Sequence, residues 1–514
     1  MTTAHVTKRF AYFLADQVFE SLSEAAPSRI YTFVARPGPY ANDSVTATPI
    51  DDTQNNDYNI YKQMLAAKKL ATTDITYAIK RYNWANNNLY APYDNEDTNL
   101  YANTFYVYTS DRNVYKVLDN NKGANSTVQP TGTSTGITET ADGYQWKYMY
   151  TVSTADNGKF VTDQYIPVKV LSANDGSAQF SAQQAAVNGA INIVKVTAGG
   201  RGYLTTNGVF NSVSNGSSFS LANTASANDS VYVGSTVYIS SGRGAGLLRE
   251  VVRYVGTSRT VTVNSAFTTA PNTSSGYIVS PKVAVTGDGT GTIAYSNVVA
   301  SNGAVNFVNL ISSGRDYSNA TVTISANTNF GNNATARAII SPRGGHGKNA
   351  REELGGSYVM VTSEFSGTES GTLPLENNIR TFGLIKDPIL ANGTVANTIN
   401  FDMTTRMTLS GATGDFNADE LITGGTSGAT GNVVSFANSN AANTAGTLRV
   451  INITGRFQNN EQITGSTSGK TATIQPSSNS DLLFYNGDVL YVENRSPITR
   501  STEQIENFKI IMGF

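Results

Sequence analysis

Two internal repeats set the strongest limit on how this chain can fold. The segment NGAINIVKVTAGGRGY, residues 188–203, recurs without a gap as NGAVNFVNLISSGRDY, residues 302–317. In each copy a β-branched run leads into a Gly-Arg turn that is followed by Tyr. Such repeats are typical of stacked β-units, so we expect residues 167–345 to form a β-rich sandwich or barrel.

The second repeat lies nearer the C-terminus. GDFNADELITGGTSGAT, residues 414–430, recurs as GRFQNNEQITGSTSGKT, residues 455–471. Each copy predicts a β-hairpin closed by a Gly-Ser-Thr turn. Because two copies are too few for a long solenoid, we expect a small β-module within residues 411–480.

Composition agrees with a strand-and-turn protein and excludes several function classes. Charged residues make up 14% of the 514 positions, against about 25% in ordinary domains. The net charge of −2 provides no general attraction to nucleic acid or to an anionic membrane. Cysteine is absent and there are only two histidines, His5 and His346, which excludes disulfides, Cys-ligated metals and multi-His centres within one chain. No apolar run is long enough to span a membrane.

The remaining segments mix helical and strand patterns. Apolar spacing predicts a helix within the first 25 residues and a second helix from about Tyr58 to Leu70. Strands are predicted at Ile30–Ala35 and, from alternating aromatic residues, at Tyr144–Val152. Residues 1–166 therefore predict an α+β arrangement.

The predicted fold class is α+β, predominantly β, with an α+β core interrupted by two β-rich insertions of sandwich or hairpin-repeat type. The motivation is a change of composition near Pro167 and the return of dense apolar and charged residues near Leu482. The expected segments are core residues 1–166, a first insertion at 167–345, core residues 346–410, a second insertion at 411–480, and C-terminal core strands at 481–514.

Three glycine-rich motifs superficially resemble nucleotide-binding sequences. GSTSGKT, residues 465–471, has three residues between its glycines where a phosphate-binding loop has four. The other repeat copy has Ala429 where Lys470 stands, so the shared feature is the turn. GRGAG (242–246) and GDGTG (287–291) lack the third glycine of a dinucleotide fingerprint. We expect all three to be turns, with no nucleotide bound.

Carboxylates and a histidine are the other candidates for chemistry. Paired carboxylates serve glycosidases, and clustered ones can bind calcium. The denser groups are Asp94, Glu96 and Asp97, and Glu352 with Glu353. Neither group has the EF-hand pattern, and we interpret both as solvated loop charge. His346 lies in a Gly-rich segment, where we expect a hinge or interface residue. We therefore assign no catalytic, cofactor-binding or metal-ligating residue, and expect no enzymatic activity and no cofactor.

An aromatic segment, KRYNWANNNLYAPY, contains Trp84 with Tyr82, Tyr90 and Tyr93. Aromatic residues beside basic ones can stack on single-stranded nucleic acid, but a net-acidic chain argues against this use. Tyr, Trp and Arg are also enriched at protein–protein contacts. Both a contact surface and an ordinary core remain open for this segment.

The C-terminal sequence carries the most specific motif. GDVLYVENRSPITRSTEQIENFKIIMGF, residues 487–514, contains a Tyr-x-Glu-Asn-Arg-x-Pro-Ile core. Its residues are Tyr491, Glu493, Asn494, Arg495, Pro497 and Ile498. VTKRF, IYTFVARPGPY, IKRYNW and DGYQWKYMYTV precede it in this order. In these segments the chain resembles the gene-product-eight baseplate wedge proteins of T-even-type contractile-tailed bacteriophages. The resemblance covers 1–166, 346–410 and 481–514, and the insertions resemble modules in structural proteins of cyanobacterial myophages.

The resemblance implies a dimeric structural subunit of the baseplate wedge, which binds other wedge subunits and has no catalytic residues. Such a protein is assembled in the host cytoplasm and resides in the virion tail, with no nucleic acid or membrane as partner. The alternative is a carbohydrate-binding or depolymerising tail-fibre protein, since β-modules rich in Asn and Tyr suit sugar binding. Fibres are usually elongated trimers with repeats along their length. Repeats confined to insertions therefore favour the wedge subunit.

The wedge interpretation makes Arg495 the residue of greatest interest. We expect Asn494–Pro497 to form a turn between a strand at Val489–Val492 and a final strand at about Asn507–Ile511. The Arg495 guanidinium can offer a planar fork of donors to a partner or can act as an internal clamp.

Overall fold

The computed structural model describes residues 7–23, 29–38, 40, 42, 44, 53–325, 333–374, 378–476, 479–501 and 504–514. Strands account for 45% and helices for 11%, so the chain is α+β and predominantly β, as predicted. It divides into two compact units, Met1–Ala78 with Ser357–Phe514, and Ile79–Gly356.

The N-terminal part of the first unit alternates helices and strands. Its elements are α1 (Lys8–Ser23), β1 (Ile30–Ala35), α2 (Gln54–Gln63), β2 (Met64–Lys69) and β3 (Ile75–Lys80). The prediction that the second helix continues to Leu70 is wrong, because the chain becomes extended at Met64. β2 pairs with β1, with Ala67 opposite Phe33, and this buried ladder outweighs the helical spacing of the apolar residues.

The second unit begins with aromatic strands and continues as a long series of short strands. Its first elements are β4 (Tyr106–Tyr108), β5 (Asn113–Asn120), β6 (Ile137–Glu139), β7 (Tyr144–Thr151), α3 (Thr154–Phe160), β8 (Tyr165–Val168), α4 (Ala178–Gln184), β9 (Ile191–Ala198), β10 (Thr206–Val209), β11 (Ser212–Asn215) and β12 (Ser218–Ser220). The others are β13 (Ser235–Ser241), β14 (Leu248–Val255), β15 (Thr260–Val263), β16 (Gly276–Gly287), β17 (Thr290–Val299), β18 (Ala304–Arg315), β19 (Ala320–Ser325), β20 (Thr335–Ile340) and α5 (Ala350–Glu353).

The chain then returns to the first unit, which ends in long strands. These are β21 (Tyr358–Ser366), β22 (Asn378–Lys386), β23 (Asn400–Asp402), β24 (Thr405–Ser410), β25 (Leu421–Gly424), β26 (Thr430–Asn438), β27 (Ala445–Thr454), β28 (Gln462–Gly465), β29 (Thr471–Ile474), β30 (Asp488–Thr499) and β31 (Ile505–Gly513).

Two sheets and a barrel build the first unit. The larger sheet has the order β23-β2-β1-β22-β30, and its strands all pair antiparallel. Its core includes Tyr31, Phe33, Met64 and Phe401. In the second sheet β21 lies between β3 and β31. The C-terminal strands β30 and β31 thus belong to different sheets.

The repeated segments 188–203 and 302–317, which are 114 positions apart, hold each other through a reciprocal pair of backbone hydrogen bonds, here called the clasp. The backbone N–H of Tyr317 donates to the carbonyl of Gly189 (3.2 Å), and the N–H of Tyr203 donates to the carbonyl of Gly303 (3.0 Å). Since Gly189 is equivalent to Gly303, and Tyr203 to Tyr317, each copy holds the other by the same contact. Both glycines have positive φ, and a Cβ on either would meet Tyr backbone atoms within 3 Å. Both copies of the repeat therefore share this Gly–Tyr contact as well as a strand.

The strands around this clasp form an extended antiparallel sheet. Its order is β11-β12-β15-β14-β13-β16-β17-β18, with β10 and β19 also on β16, while β9 pairs with β20. β4-β5-β7-β6 is a separate sheet. Its aromatic core includes Tyr144 and Trp146 and also Ala182 of α4.

This packing explains why the structural units differ from the predicted segments. Residues 79–166 were assigned to the core, but they lie with 167–356 in the second unit. Ala182, from the proposed insertion, is fully buried against the Trp146 cluster. Apolar burial between these segments joins them, although composition changes sharply at Pro167.

The second repeat, whose copies are 41 positions apart, lies in a closed barrel of strands β24-β27-β26-β25-β28-β29. Both predicted hairpins are present, as β25–β26 and β28–β29. The barrel begins earlier than predicted, because β24 pairs with β27 and β29. Closure leaves no free sheet edge, and the barrel has its own apolar core with Ile422, Ile463 and Leu448.

We expect the first unit to fold after residues 405–475 are replaced by a short Gly/Ser linker. Entry and exit are adjacent, since the N–H of Gln475 donates to the carbonyl of Thr408 (2.8 Å), and insertions of this geometry are tolerated. Asp402 and Arg36 are buried and are paired with Arg449 and Asp419 of the barrel, so the variant also carries Asp402→Asn and Arg36→Gln. Thermal unfolding followed by circular dichroism should remain cooperative. Loss of a cooperative transition would contradict the independence of the barrel.

Candidate functional site

The C-terminal motif lies on β30, the edge strand beside β22. Ile498 is opposite Ile379 and Asn494 opposite Thr381, so β30 has extra residues between these pairs and forms a bulge. Pro497, which has no N–H to donate, lies in this bulge, as expected for proline on an edge strand. The predicted turn at Asn494–Pro497 is therefore wrong: pairing with β22 keeps the segment extended. The final strand is present as β31.

Three alternate residues of β30 form a linked polar group. The Tyr491 hydroxyl donates to Oε2 of Glu493, and Nη2 of Arg495 lies 2.6 Å from Oε1 of Glu493. The Arg495 guanidinium also lies 5.7 Å from the ring centroid of Phe382. Its side chain is 54% exposed. Arg495 thus has a defined orientation while its surface stays accessible.

Neighbouring groups fix the protonation and shape of this surface. Burial and the hydrogen bond to Glu493 raise the pKa of Tyr491 to about 12, so its hydroxyl remains a donor at neutral pH. A shallow depression of about 370 Å³ adjoins Arg495. Its lining residues are Phe382, Arg495, Ile498, Glu506, Asn507, Phe508 and Lys509.

A buried ion pair lies where the chain passes from β30 to β31. Nε of Arg500 is 2.6 Å from Oε2 of Glu506, and both side chains are almost completely buried. This pair is an internal clamp of the kind considered for Arg495. Arg495 itself lies at the surface, so the two arginines have different environments.

The aromatic segment around Trp84 is mainly core. Tyr90 and Tyr93 are buried, and the half-buried Trp84 donates through Nε1 to Oγ of Ser126 (3.1 Å). Tyr90 packs edge-on against Trp146. Of the two interpretations left open, the ordinary core describes these rings.

The interpretation of Glu353 as solvated loop charge is wrong. Glu353 is buried and ion-paired with the fully buried Lys116 on β5, and its Oε1 accepts from the backbone N–H of Gly347 (2.8 Å). His346 is also buried, with Nδ1 4.0 Å from Oε2 of Glu353 and its ring edge-on to Tyr93. Burial, together with Lys116 and Lys147, lowers the pKa of His346 well below its ordinary value. His346 is a buried, neutral residue, so the expectation of an interface residue is wrong, while a hinge role stays a prediction.

The Asp94 group is likewise bound to its surroundings. Asp94 is ion-paired with Arg337, which also lies 3.3 Å from Glu96. Burial alone would raise the pKa of Asp94, but the hydrogen bonds from Arg337 and the Glu96 N–H outweigh it and lower the pKa. Asp97 accepts from the N–H of Asn99 (2.8 Å) in the loop. These carboxylates organise a loop and its contact with β20.

The glycine-rich motifs are turns, as predicted. Residues 242–246 connect β13 to β14, and residues 287–291 lie at the connection of β16 to β17. The N–H groups of Thr467 and Ser468 in GSTSGKT donate to Oε2 of Glu420 (3.1 and 2.9 Å). The anion held by this turn is therefore a carboxylate of the same chain.

The sequence offered no signal for Lys116, which lies 237 residues from Glu353. Across the described ranges, no group of three or more His, Asp and Glu side chains could hold a metal ion. Among the helices described, none is long and apolar enough to cross a membrane. No protein-family model matches the chain, and no curated protein matches it.

Proposed function

We propose that this protein is a structural subunit of a phage tail baseplate wedge. It forms a homodimer, and it assembles into the wedge through contacts with other wedge subunits. The observation that carries the proposal is the position of the C-terminal motif. Its Arg495–Glu493 pair is oriented by Tyr491 and Phe382 on an edge strand, where it is accessible to another protein. Arg is enriched at interfaces because its planar donors pair well with carboxylates and carbonyls.

The state of the buried carboxylates supports a structural role. Five buried carboxylates accept hydrogen bonds from, or form ion pairs with, groups of the same chain. They are Glu353, Glu420, Glu461, Glu506 and Asp402. Carboxylates that act in hydrolysis need access to substrate or water, and glycosidases place two of them across one cleft. The contacts of these five hold the strands and turns that surround them.

Arg495→Ala tests the proposal. The Arg495–Glu493 pair is half-exposed, and such pairs contribute about 1 kcal/mol or less, so the variant should remain folded and dimeric. It should fail to join wedge complexes when co-expressed with the other wedge proteins, as measured by co-purification. Arg243→Ala, which removes an exposed arginine from the other unit, should assemble normally.

Two results would contradict the proposal. One is normal assembly of Arg495→Ala, and the other is a loss of thermal stability as large as that of Arg500→Ala, the buried clamp. The mass of the intact protein in solution provides a separate check. A trimer rather than a dimer would favour the alternative, a carbohydrate-binding or depolymerising tail-fibre protein.

A further inference from the structure

A polar groove in the first unit lies between the second barrel repeat and the segment before β30. Its volume is about 990 Å³. Its polar and aromatic lining includes Lys62, Arg456, Gln458, Asn459, Asn479 and Tyr485. We call this surface the barrel groove.

Five polar side chains of the barrel groove are not used by the fold. Within the part of the chain that the structure describes, the side chains of Lys62, Arg456, Gln458, Asn459 and Asn479 make no hydrogen bond or ion pair. All except Lys62 are exposed residues. No carboxylate is among the described residues that line the groove. The Glu461 carboxylate beside the groove is buried and accepts from the backbone N–H of Gln458.

Tyr485 presents an aromatic ring at the groove from a strained backbone. Its φ is +67°, a left-handed conformation that is unusual for a bulky residue, and it is 45% exposed. Tyr58, itself 46% exposed, packs edge-on against it with ring centroids 4.4 Å apart. Backbone strain that holds an apolar ring in solvent is a feature of binding sites more than of cores.

The two barrel repeats use equivalent loops differently. Asp419 and Asn460 are equivalent and both have positive φ, so the two loops share this backbone feature. In the first copy Asp419 pairs with the buried Arg36 (2.5 Å) and holds the barrel against the core. In the second copy Arg456 replaces the equivalent Asp415, and the loop faces the groove. Asp419 thus ties the first loop to the core, whereas the side chain of Arg456 in the second loop makes no hydrogen bond or ion pair among the described residues.

We propose that the barrel groove binds an acidic polysaccharide. Aromatic rings such as Tyr485 offer a flat apolar face to a pyranose ring, and Arg456 can hold a sugar carboxylate through paired donors. The side-chain amides of Gln458, Asn459 and Asn479 each present a donor and an acceptor, which matches hydroxyl groups that also do both. The number of amides favours a polyhydroxylated ligand over an acidic peptide.

Isothermal titration of the full-length chain with oligogalacturonate, oligoalginate and hyaluronan oligosaccharides tests this proposal. At least one should bind saturably, and a neutral malto-oligosaccharide should bind far more weakly. Arg456→Ala should weaken binding about tenfold, the usual effect of losing a charged hydrogen bond. Tyr485→Asn should also weaken it about tenfold through loss of stacking, yet keep its thermal stability because Asn tolerates positive φ.

Arg243→Ala is the matched control and should bind as the unaltered protein does. The proposal is overturned if none of the acidic oligosaccharides binds at millimolar concentration. It is also overturned if the neutral sugar binds equally well, or if Arg456→Ala and Tyr485→Asn both bind normally. Binding of polyglutamate without any acidic oligosaccharide would instead identify a peptide-docking surface.

Discussion

Lys116→Met should lower the free energy of unfolding by about 3–5 kcal/mol, because it leaves the Glu353 carboxylate buried without its cation. Lys116 is completely buried on β5, and burial lowers its pKa while Glu353 opposes that shift. Urea denaturation followed by tryptophan fluorescence would measure the change, since Trp146 lies in the core of the same unit.

The double variant Lys116→Met/Glu353→Gln distinguishes a buried charge from lost packing. Removing both charges should recover much of the stability, because a neutral pair avoids the cost of an unpaired carboxylate. Lys282→Met is the control: its partner Glu250 is 2.8 Å away, but both side chains are more than a third exposed, so the loss should stay below about 1 kcal/mol. An equal loss in Lys116→Met and Lys282→Met would contradict the assignment.

Glu420→Ala and Glu461→Ala should each destabilise the barrel by about 2–4 kcal/mol, because each removes several charge-assisted hydrogen bonds. Oε2 of Glu420 accepts from the N–H groups of Thr467 and Ser468, and Oε2 of Glu461 accepts from those of Thr426 and Ser427. Each repeat copy therefore supplies the carboxylate that holds the turn of the other. Hydrogen exchange of β25–β29 amides would report the loss.

The same contacts predict a pH dependence. Burial alone would raise the pKa of both glutamates, but hydrogen bonds from Ser468 to Glu420 and from Gln458 and Ser427 to Glu461 outweigh it, so both pKa values are lowered. Their stabilisation is complete above the unfolded value of about 4.3 and is lost as pH falls through the lower folded pKa.

The exposed Asp415→Asn, in the same loop as Glu420, provides the matched control for both measurements. It removes the same charge from a side chain with one hydrogen bond to Asn438, so the barrel should change by about 0.5 kcal/mol or less. If Asp415→Asn and Glu420→Ala gave the same loss, the reciprocal contact would not be what stabilises the barrel.

Local patterns predicted much of the secondary structure. The strand at Ile30–Ala35 was predicted at its observed bounds, and each copy of the shorter repeat is a hairpin, because β-branched alternation and glycine turns act within a few residues. The pattern misled at Met64–Lys69. There apolar residues fit one face of a helix, and only the ladder with β1 made them extended.

Burial of charge was the least predictable property. Glu352 and Glu353 adjoin in sequence, yet only Glu353 is buried, because its side chain reaches from α5 to Lys116 on β5. Likewise Arg495 and Arg500 are five positions apart, and one is exposed while the other is enclosed with Glu506. Neither difference follows from local composition, since burial depends on what packs over a side chain.

The sequence by itself determined that this chain is β-rich and that it contains two duplicated β-units, because residue periodicity and repeat spacing act through local backbone geometry. Only the tertiary structure decided how the copies divide their roles. Asp419 of one barrel loop meets Arg36, whereas Arg456 of the other loop has no internal partner among the described residues. The physical reason is that equivalent sequences adopt equivalent backbones, while long-range packing places them in different surroundings.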